Sequence, residues 1–572
     1  MEYRVTEYGL NPDGVTCNAD AMSALIADLP ANSTLIFPRG RYYFAQRVEV
    51  GGKAGLTIRG EEGATLLSHF GPCGDPKENN NIFWFHDCAD LSVRDFTVTT
   101  DNPIGWAGVV TEVNTAERYY IARIYDEFEI TGFEHPVALN SCDADGTPDY
   151  QFNGGQWSDA KTVTVNGVTG TRLAGYDYEV IGDHILRFNV NPCHDKELAR
   201  LQVGEQLCYR FIVYGNTHFS FDDCDRVEMK NIEIERASSM GAIVGPRCSD
   251  FTFDNFNIRL RKDTQALYAA NADGIHILGL TGYLHMYNCH FNGLGDDTLN
   301  IHGTAGEIRE IRPDGSMLLE HRHRSGFSKL QKNWAREGDV IEVYDSQTFL
   351  RKGTFTIGTF SPEGNATITA STGTYAVGDA LANTAYFAAT HLRGCDARNT
   401  RARGFLLQTR NVIVEDCYVY GMSLPSIIVS PDIKVWFEVG PSENVVIRNN
   451  VFEKCAFIKS AANLGAIVVK GSHDVGSEDY PAGVHRNMTI ENNVFRGMGN
   501  SGIYVSATDG VTVRGNSFEN CSIDRFDRRK KSPRYDIVTR NCDHVTVAGN
   551  KTTKDKKYLF YPKGCHEVSE ND

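Results

Sequence analysis

The sequence predicts an all-β protein, a parallel β-helix interrupted by two small inserted β-barrel-like domains. Three observations carry this reading. A short unit, apolar-x-apolar-x-x-(Asn, Cys or apolar)-x-apolar, recurs at 91–98, 227–234, 251–258, 284–291, 412–419, 445–452, 488–495 and 511–518. A second short apolar run follows the units, as at 241–244, 274–277, 298–301, 405–408, 427–429, 466–469 and 502–505. Two stretches, about 106–215 and 304–395, break the period with alternating runs such as 162–165, 185–190 and 340–343. The shortest spacings between units are 24 residues, from 227 to 251, and 23, from 488 to 511. Two short strands around a bend cannot bury an apolar face alone, so each unit must stack on copies of itself.

Taken in chain order, 1–105 is a cap and first coils, with a short amphipathic helical stretch near Ala19 to Ala27. The first inserted domain occupies 106–215, and coils bearing clustered aspartates follow over 216–303. The second inserted domain fills 304–395, where Gly338-Asp339 and Gly378-Asp379 mark strand starts, as Gly204-Glu205 does in the first. Residues 396–572 return to coils. Strand alternation turns one side-chain set of the second runs inward and leaves His276, Asn300, Tyr504 and Lys470 on an outer face, a platform for a substrate.

A length of 572 residues alone would argue for about four domains, but the repeat replaces them with one solenoid. With 57 Lys+Arg against 73 Asp+Glu, the net charge of −16 argues against nucleic acid as partner and disfavours an anionic polysaccharide. No apolar run reaches the length of a membrane span. Met1-Glu2-Tyr3-Arg4-Val5 shows neither a basic start nor an apolar stretch, so the chain reads as cytoplasmic or as exported with its leader removed. The 15 cysteines include no CxxC pair. Cys88, Cys224, Cys248 and Cys542 sit three residues before a unit, and Cys455 and Cys521 three after one. They read as buried free thiols stacked at fixed registers.

Acids precede two of the second runs at matching register: Asn271-Ala272-Asp273-Gly274-Ile275-His276-Ile277 and Gly295-Asp296-Asp297-Thr298-Leu299-Asn300-Ile301-His302-Gly303. Asp273 and Asp297 are 24 residues apart, one uninterrupted coil. Adjacent strands lie about 4.8 Å apart, so Asp273, Asp296 and Asp297 should form one carboxylate cluster. Three such groups do not all ionise cheaply, which makes a proton donor and a base from one residue type, as glycosidic cleavage requires. Either motif alone would be an ordinary turn or helix cap. His302 alone would be a hydrogen-bonded turn residue, and clustered Asp also suits calcium.

The pair Asn271-x-Asp273-Gly274 and Gly295-Asp296-Asp297 resembles family 28 polygalacturonases. The longer string 296–303, followed after the insertion by Arg401-Ala-Arg403-Gly404-Phe-Leu-Leu-Gln408-Thr-Arg410-Asn411, is more similar to family 110 glycoside hydrolases. Residues 33–44 resemble the opening coil of pectin-lyase-like proteins. The resemblance implies a right-handed parallel β-helix (pectin-lyase-like solenoid) and an inverting, metal-free and cofactor-free exo-α-galactosidase. Its substrate would be an oligosaccharide or glycoconjugate ending in non-reducing α-1,3-linked galactose, as in blood group B-type glycans. It further implies Asp296 as the general acid, with Asp273 and Asp297 holding and deprotonating water. Arg403, Gln408 and Arg410 would then donate to galactose hydroxyls, with Trp436 stacking on a pyranose face and Glu438 accepting from its hydroxyls. His276, Asn300, His302 and Lys470 complete the binding set, although a lone outward Lys is ordinarily just solvated and Trp436 also reads as packing under a loop. A lyase using Ca²⁺ and a non-catalytic glycan-binding solenoid remain open alternatives, and so does a homodimer.

Overall fold

The computed structural model describes residues 1–69, 82–149, 152–215, 217–321, 334–433, 435–458, 464–472, 480–523 and 535–571. Its core is a stack of parallel coils. Strands Ala89–Thr100, Asp225–Ile234 and Ser249–Arg259 lie in register, with Leu91 beside Val227 and Val227 beside Phe251. The second runs form another parallel sheet, in which Ala242–Val244, Ile275–Leu278, Leu299–Ile311 and Phe405–Leu407 follow one another. The helix Ala19–Asp28 caps the first coils and buries Ala19, Met22, Leu25 and Ile26. No helix among the described residues is long and apolar enough to cross a membrane.

The repeat unit has a conformational reason. Its fifth position, Asn231, Asn255, Asn288, Asn449 and Asn492 in five of the units, has φ between 51° and 57°. Asn enters this left-handed region more cheaply than most residues because its short amide bonds locally, so the unit bends there. The sixth position then faces the interior. Cys289, Cys395 and Cys417 occupy it in three coils, and Asn450, Asn493 and Asn516 in later ones, all buried. The backbone N–H of Cys417 donates to Asn450 Oδ1 at 2.9 Å, and the N–H of Asn450 donates to Asn493 Oδ1 at 2.9 Å. Asn493 N–H passes the bond on to Asn516 Oδ1, and Asn516 N–H to Asn550 Oδ1, both at 2.9 Å. This amide column satisfies backbone groups that the bend removes from the sheets. The six cysteines singled out from their spacing are free and buried.

Both insertions are antiparallel. In the first, Ala138–Cys142, Gln206–Arg210, Gly105–Asn114, Tyr119–Ile124, Ile185–Asn189 and Tyr178–Gly182 form one six-stranded sheet in that order. It covers its own core of Trp106, Tyr120, Phe188 and Tyr209. The second closes into a six-stranded barrel, running from Leu299–Ile311 through Met317–Glu320, Asn365–Gly373, Arg351–Phe360 and Val340–Tyr344 to Ala380–Asn383, which pairs back with Leu299–Ile311. Strand Leu299–Ile311 therefore belongs to the helix at its start and to the barrel thereafter. Two residues expected on an open outer face are covered. Tyr504 packs with Leu406, Ile428, Val468 and Val538, and Lys470 is 1% exposed, next to Gly471, on which Tyr480 and Ala507 press.

The amide column makes a stability prediction. Asn493→Ala leaves the buried Asn450 N–H and the Ile447 carbonyl unpaired, which costs about 1–3 kcal/mol. Denaturant unfolding should read this loss with an unchanged m-value, and a loss below about 0.5 kcal/mol would show that the column is not a structural element.

Candidate active site

Coil stacking assembles the site. Ile275 pairs with Leu299 and Leu299 with Phe405. Asp273, Asp297 and Arg403 each stand two residues ahead of these positions and so share one register. Gly274 N–H donates to the Asp297 carbonyl at 2.8 Å, and Asp297 N–H donates to Asp273 Oδ1 at 3.2 Å. The glycines of the two motifs permit this closeness. A Cβ on Gly274 would stand 2.6 Å from the Thr298 carbonyl oxygen, and one on Gly295 2.3 Å from that of Asn271. The result is the expected trio, with carboxyl oxygens of Asp273, Asp296 and Asp297 within 4.8 Å of one another.

Each aspartate has its own basic partner. Asp297 Oδ1 accepts from Arg403 Nε at 2.7 Å and from its backbone N–H at 3.0 Å. Asp296 faces Arg401 Nη2 at 3.1 Å and accepts from the Tyr214 hydroxyl at 3.1 Å. Asp273 Oδ2 lies 2.7 Å from His276 Nδ1. Such oxygens would also suit a cation, but the two guanidiniums already neutralise two of the three carboxylates. Burial pushes Asp297 up to about 7, with Asp296 and Asp273 adding to it and Arg403 opposing. Asp273 is raised by burial as well, against its bond to His276. Burial would lower His276, but the bond to Asp273 and the charges of Asp273, Glu438 and Asp297 outweigh it, and its pKa rises.

The trio opens into a cavity of about 550 Å³. His276, Asn300, His302, Arg403, Gln408, Trp436 and Glu438 all line it, as expected from the sequence. Among the described residues, Asn300 Oδ1, Gln408 Oε1 and Ser430 Oγ, on three residues of the lining, are buried without a hydrogen-bond partner. Trp436, 41% exposed, stands at the wall. Arg410 and Lys470 are not among the lining residues. Arg410 turns to the barrel instead, donating to Glu342 Oε2 at 2.6 Å and to the Tyr344 hydroxyl at 3.0 Å.

Tyr214 and Arg401 were not among the expected site residues; Tyr214 comes through the first insertion, and Arg401 lies in the coil that resumes after the barrel, its backbone N–H donating to the Leu294 carbonyl at 2.9 Å. Arg210, at the end of the first insertion, donates to the Asn271 carbonyl at 2.7 Å, while Asn271 Nδ2 donates to Ile104 and Ile212 carbonyls at 2.9 and 2.8 Å. This clasp delivers Tyr214 to the mouth of the cavity. From the other side, Glu438–Val439 pairs antiparallel with 303–304, which places Glu438 Oε1 3.7 Å from His302 Nε2.

The raised Asp297 has a thermodynamic consequence. An ordinary Asp ionises near 3.9, so between about pH 4 and 7 the folded protein holds a proton here that the unfolded chain has released. The stability from this group is complete below the lower value and is lost as the pH climbs to about 7. Asp297→Asn removes the loss, so the variant should gain thermal stability relative to the parent from pH 4 to pH 7 and hold the difference above. A midpoint difference that stays constant across this range would mean that Asp297 ionises normally.

Comparison with known proteins agrees with this architecture. A family model described as "Right handed beta helix region" matches residues 463–569. Alpha-1,3-galactosidase B of Bacteroides thetaiotaomicron is 23% identical over 96% of this chain and 91% of its own length. Its counterpart in Akkermansia muciniphila is 25% identical over 97% of this chain and 70% of its own length. Alpha-1,3-galactosidase A of Bacteroides fragilis is 25% identical over 69% of this chain and 60% of its own. Among solved structures, the catalytic unit of a family 87 alpha-1,3-glucanase from Streptomyces thermodiastaticus overlays with a TM-score of 0.44 at 10% identity, covering 99% of this chain and 68% of that one. The resemblance first carried by 271–304 and 401–411 thus extends along most of the molecule. The chain is a right-handed parallel β-helix protein related, over nearly its whole length, to proteins named alpha-1,3-galactosidase.

Proposed function

We propose that this glycoside hydrolase is an exo-acting α-galactosidase that releases terminal α-1,3-linked galactose with inversion. The observation that carries the reading is the buried aspartate trio at one wall of a cavity lined with unpaired hydroxyl-binding atoms. The names of the relatives supply the sugar and linkage. Asp296 is the least buried of the three, its side chain 15% exposed against 2% for Asp297, so it meets the leaving-group oxygen from the open side and acts as general acid. Asp273 and Asp297 hold the attacking water from below. Inversion is assigned from the resemblance, since oxygens within 4.8 Å are closer than the roughly 6.5–9.5 Å associated with many inverting pairs.

The cavity favours a neutral sugar. Among the described residues, Asp273, Asp296, Asp297, Asp432 and Glu438 line it with Arg403, whose guanidinium already serves Asp297, while Arg401 serves Asp296. A uronate would be repelled by these carboxylates.

Asp296→Asn and Asp297→Asn should each reduce galactose release from an α-1,3-linked disaccharide by about 10²–10⁴-fold or more, with folding retained. Parent-like turnover in either variant would remove that residue from the mechanism. A panel of α-galactosides showing binding but no turnover by the parent protein would overturn the hydrolase reading itself.

A further inference from the structure

Hydrogen bonds on the cavity wall divide the labour within the trio, an inference that rests on the hydrolase reading above only for its catalytic half. His302 Nδ1 lies 2.8 Å from the Gly303 carbonyl oxygen. A carbonyl only accepts, so Nδ1 carries the proton. Burial lowers the pKa of His302 against the charge of Glu438, whose Oε1 is 3.7 Å from Nε2, so the ring is neutral and Nε2 a bare acceptor. It lies 3.0 Å from His276 Nε2, which must donate. The other nitrogen of His276, Nδ1, is 2.7 Å from Asp273 Oδ2. Two arrangements meet these constraints: a neutral imidazole accepting from protonated Asp273, or an imidazolium donating to its carboxylate. Both place one proton between Asp273 and His276, and both leave the pair without net charge.

We propose that His302, oriented by the Gly303 carbonyl, holds one proton between Asp273 and His276, and that Asp297 is thereby the sole base of the trio. The free valences agree. Asp273 Oδ2 serves His276 and Oδ1 accepts from Asp297 N–H; Asp296 serves Arg401 and Tyr214. Both contacts of Asp297 fall on Oδ1, which leaves Oδ2 for water. In the reaction, the water oxygen bonds to the anomeric carbon and its proton passes to Asp297 Oδ2. The glycosidic C–O bond breaks towards the leaving oxygen, which takes the proton of Asp296. Asp273 and the two histidines gain and lose nothing. They are positioning residues, keeping a third negative charge away from Asp297. Besides the trio, the charged or titratable groups facing them include Glu438, Arg403, His321 and Tyr214.

The test begins without substrate, so it stands apart from the galactosidase reading. Nitrogen NMR of ¹⁵N-histidine-labelled protein, assigned with His276→Gln and His302→Gln, should show His302 as the Nδ1–H tautomer from pH 5 to 8. His276 should show a protonated Nε2 throughout, with no free titration near 6.5. An Nε2–H tautomer for His302, or a bare Nε2 on His276, would overturn the proposal. The kinetic half follows from charge. In His302→Gln the proton is no longer held, Asp273 ionises, and the rising limb of kcat/KM against pH should move up by about one unit, with kcat falling and KM little changed. A uniformly lowered profile with an unmoved limb would indicate a merely structural histidine. If the NMR holds while no galactoside is turned over, the proton arrangement stands and the hydrolase reading fails.

Discussion

Everything at the site depends on the backbone bonding that stacks one coil on the next at a fixed register. Gly274 N–H to the Asp297 carbonyl, and Asp297 N–H to the Asp273 carboxylate, fix two acids separated by 24 residues as neighbours. Burial raises Asp297, and the two carboxylates forced beside it add to the rise against Arg403. Function here begins as a steric fact, since the two glycines are what let the coils approach so closely.

The insertions make a functional cavity out of a flat sheet. A parallel β-helix presents an outer face with little concavity. Strand Leu299–Ile311 leaves the helix to start the barrel, and the return strand Glu438–Val439 docks on it, so the wall rises directly beside the aspartates. The first insertion closes the other side through Arg210, Asn271 and Tyr214. Arg410, placed by sequence among the sugar ligands, instead fastens the barrel to the coil through Glu342.

Much of this was legible in the sequence because a solenoid converts spacing along the chain into adjacency in space. The Asn, Asp or Gly at the fifth position of each unit, the cysteine registers and the 24-residue offset of Asp273 and Asp297 all follow from that periodicity. Arg403 was reachable too, since the coil resumes after the barrel with Phe405 beside Leu299. Tyr214 was not, because it is placed by how the first insertion folds and no period links it to Asp296, 82 residues away; Arg401 stands in the same resumed coil as Arg403, but its pairing with Asp296 is a side-chain contact that the register alone does not reveal. Lys470 and Tyr504 have the outward parity expected of them, yet neighbouring segments cover that face, which alternation alone does not reveal.

The proposed reaction is a single displacement by these aspartates on a terminal galactose. Following the first product formed from an α-1,3-galactosyl oligosaccharide by proton NMR tests it most directly. β-Galactose should appear before mutarotation; α-galactose appearing first would mean a double displacement.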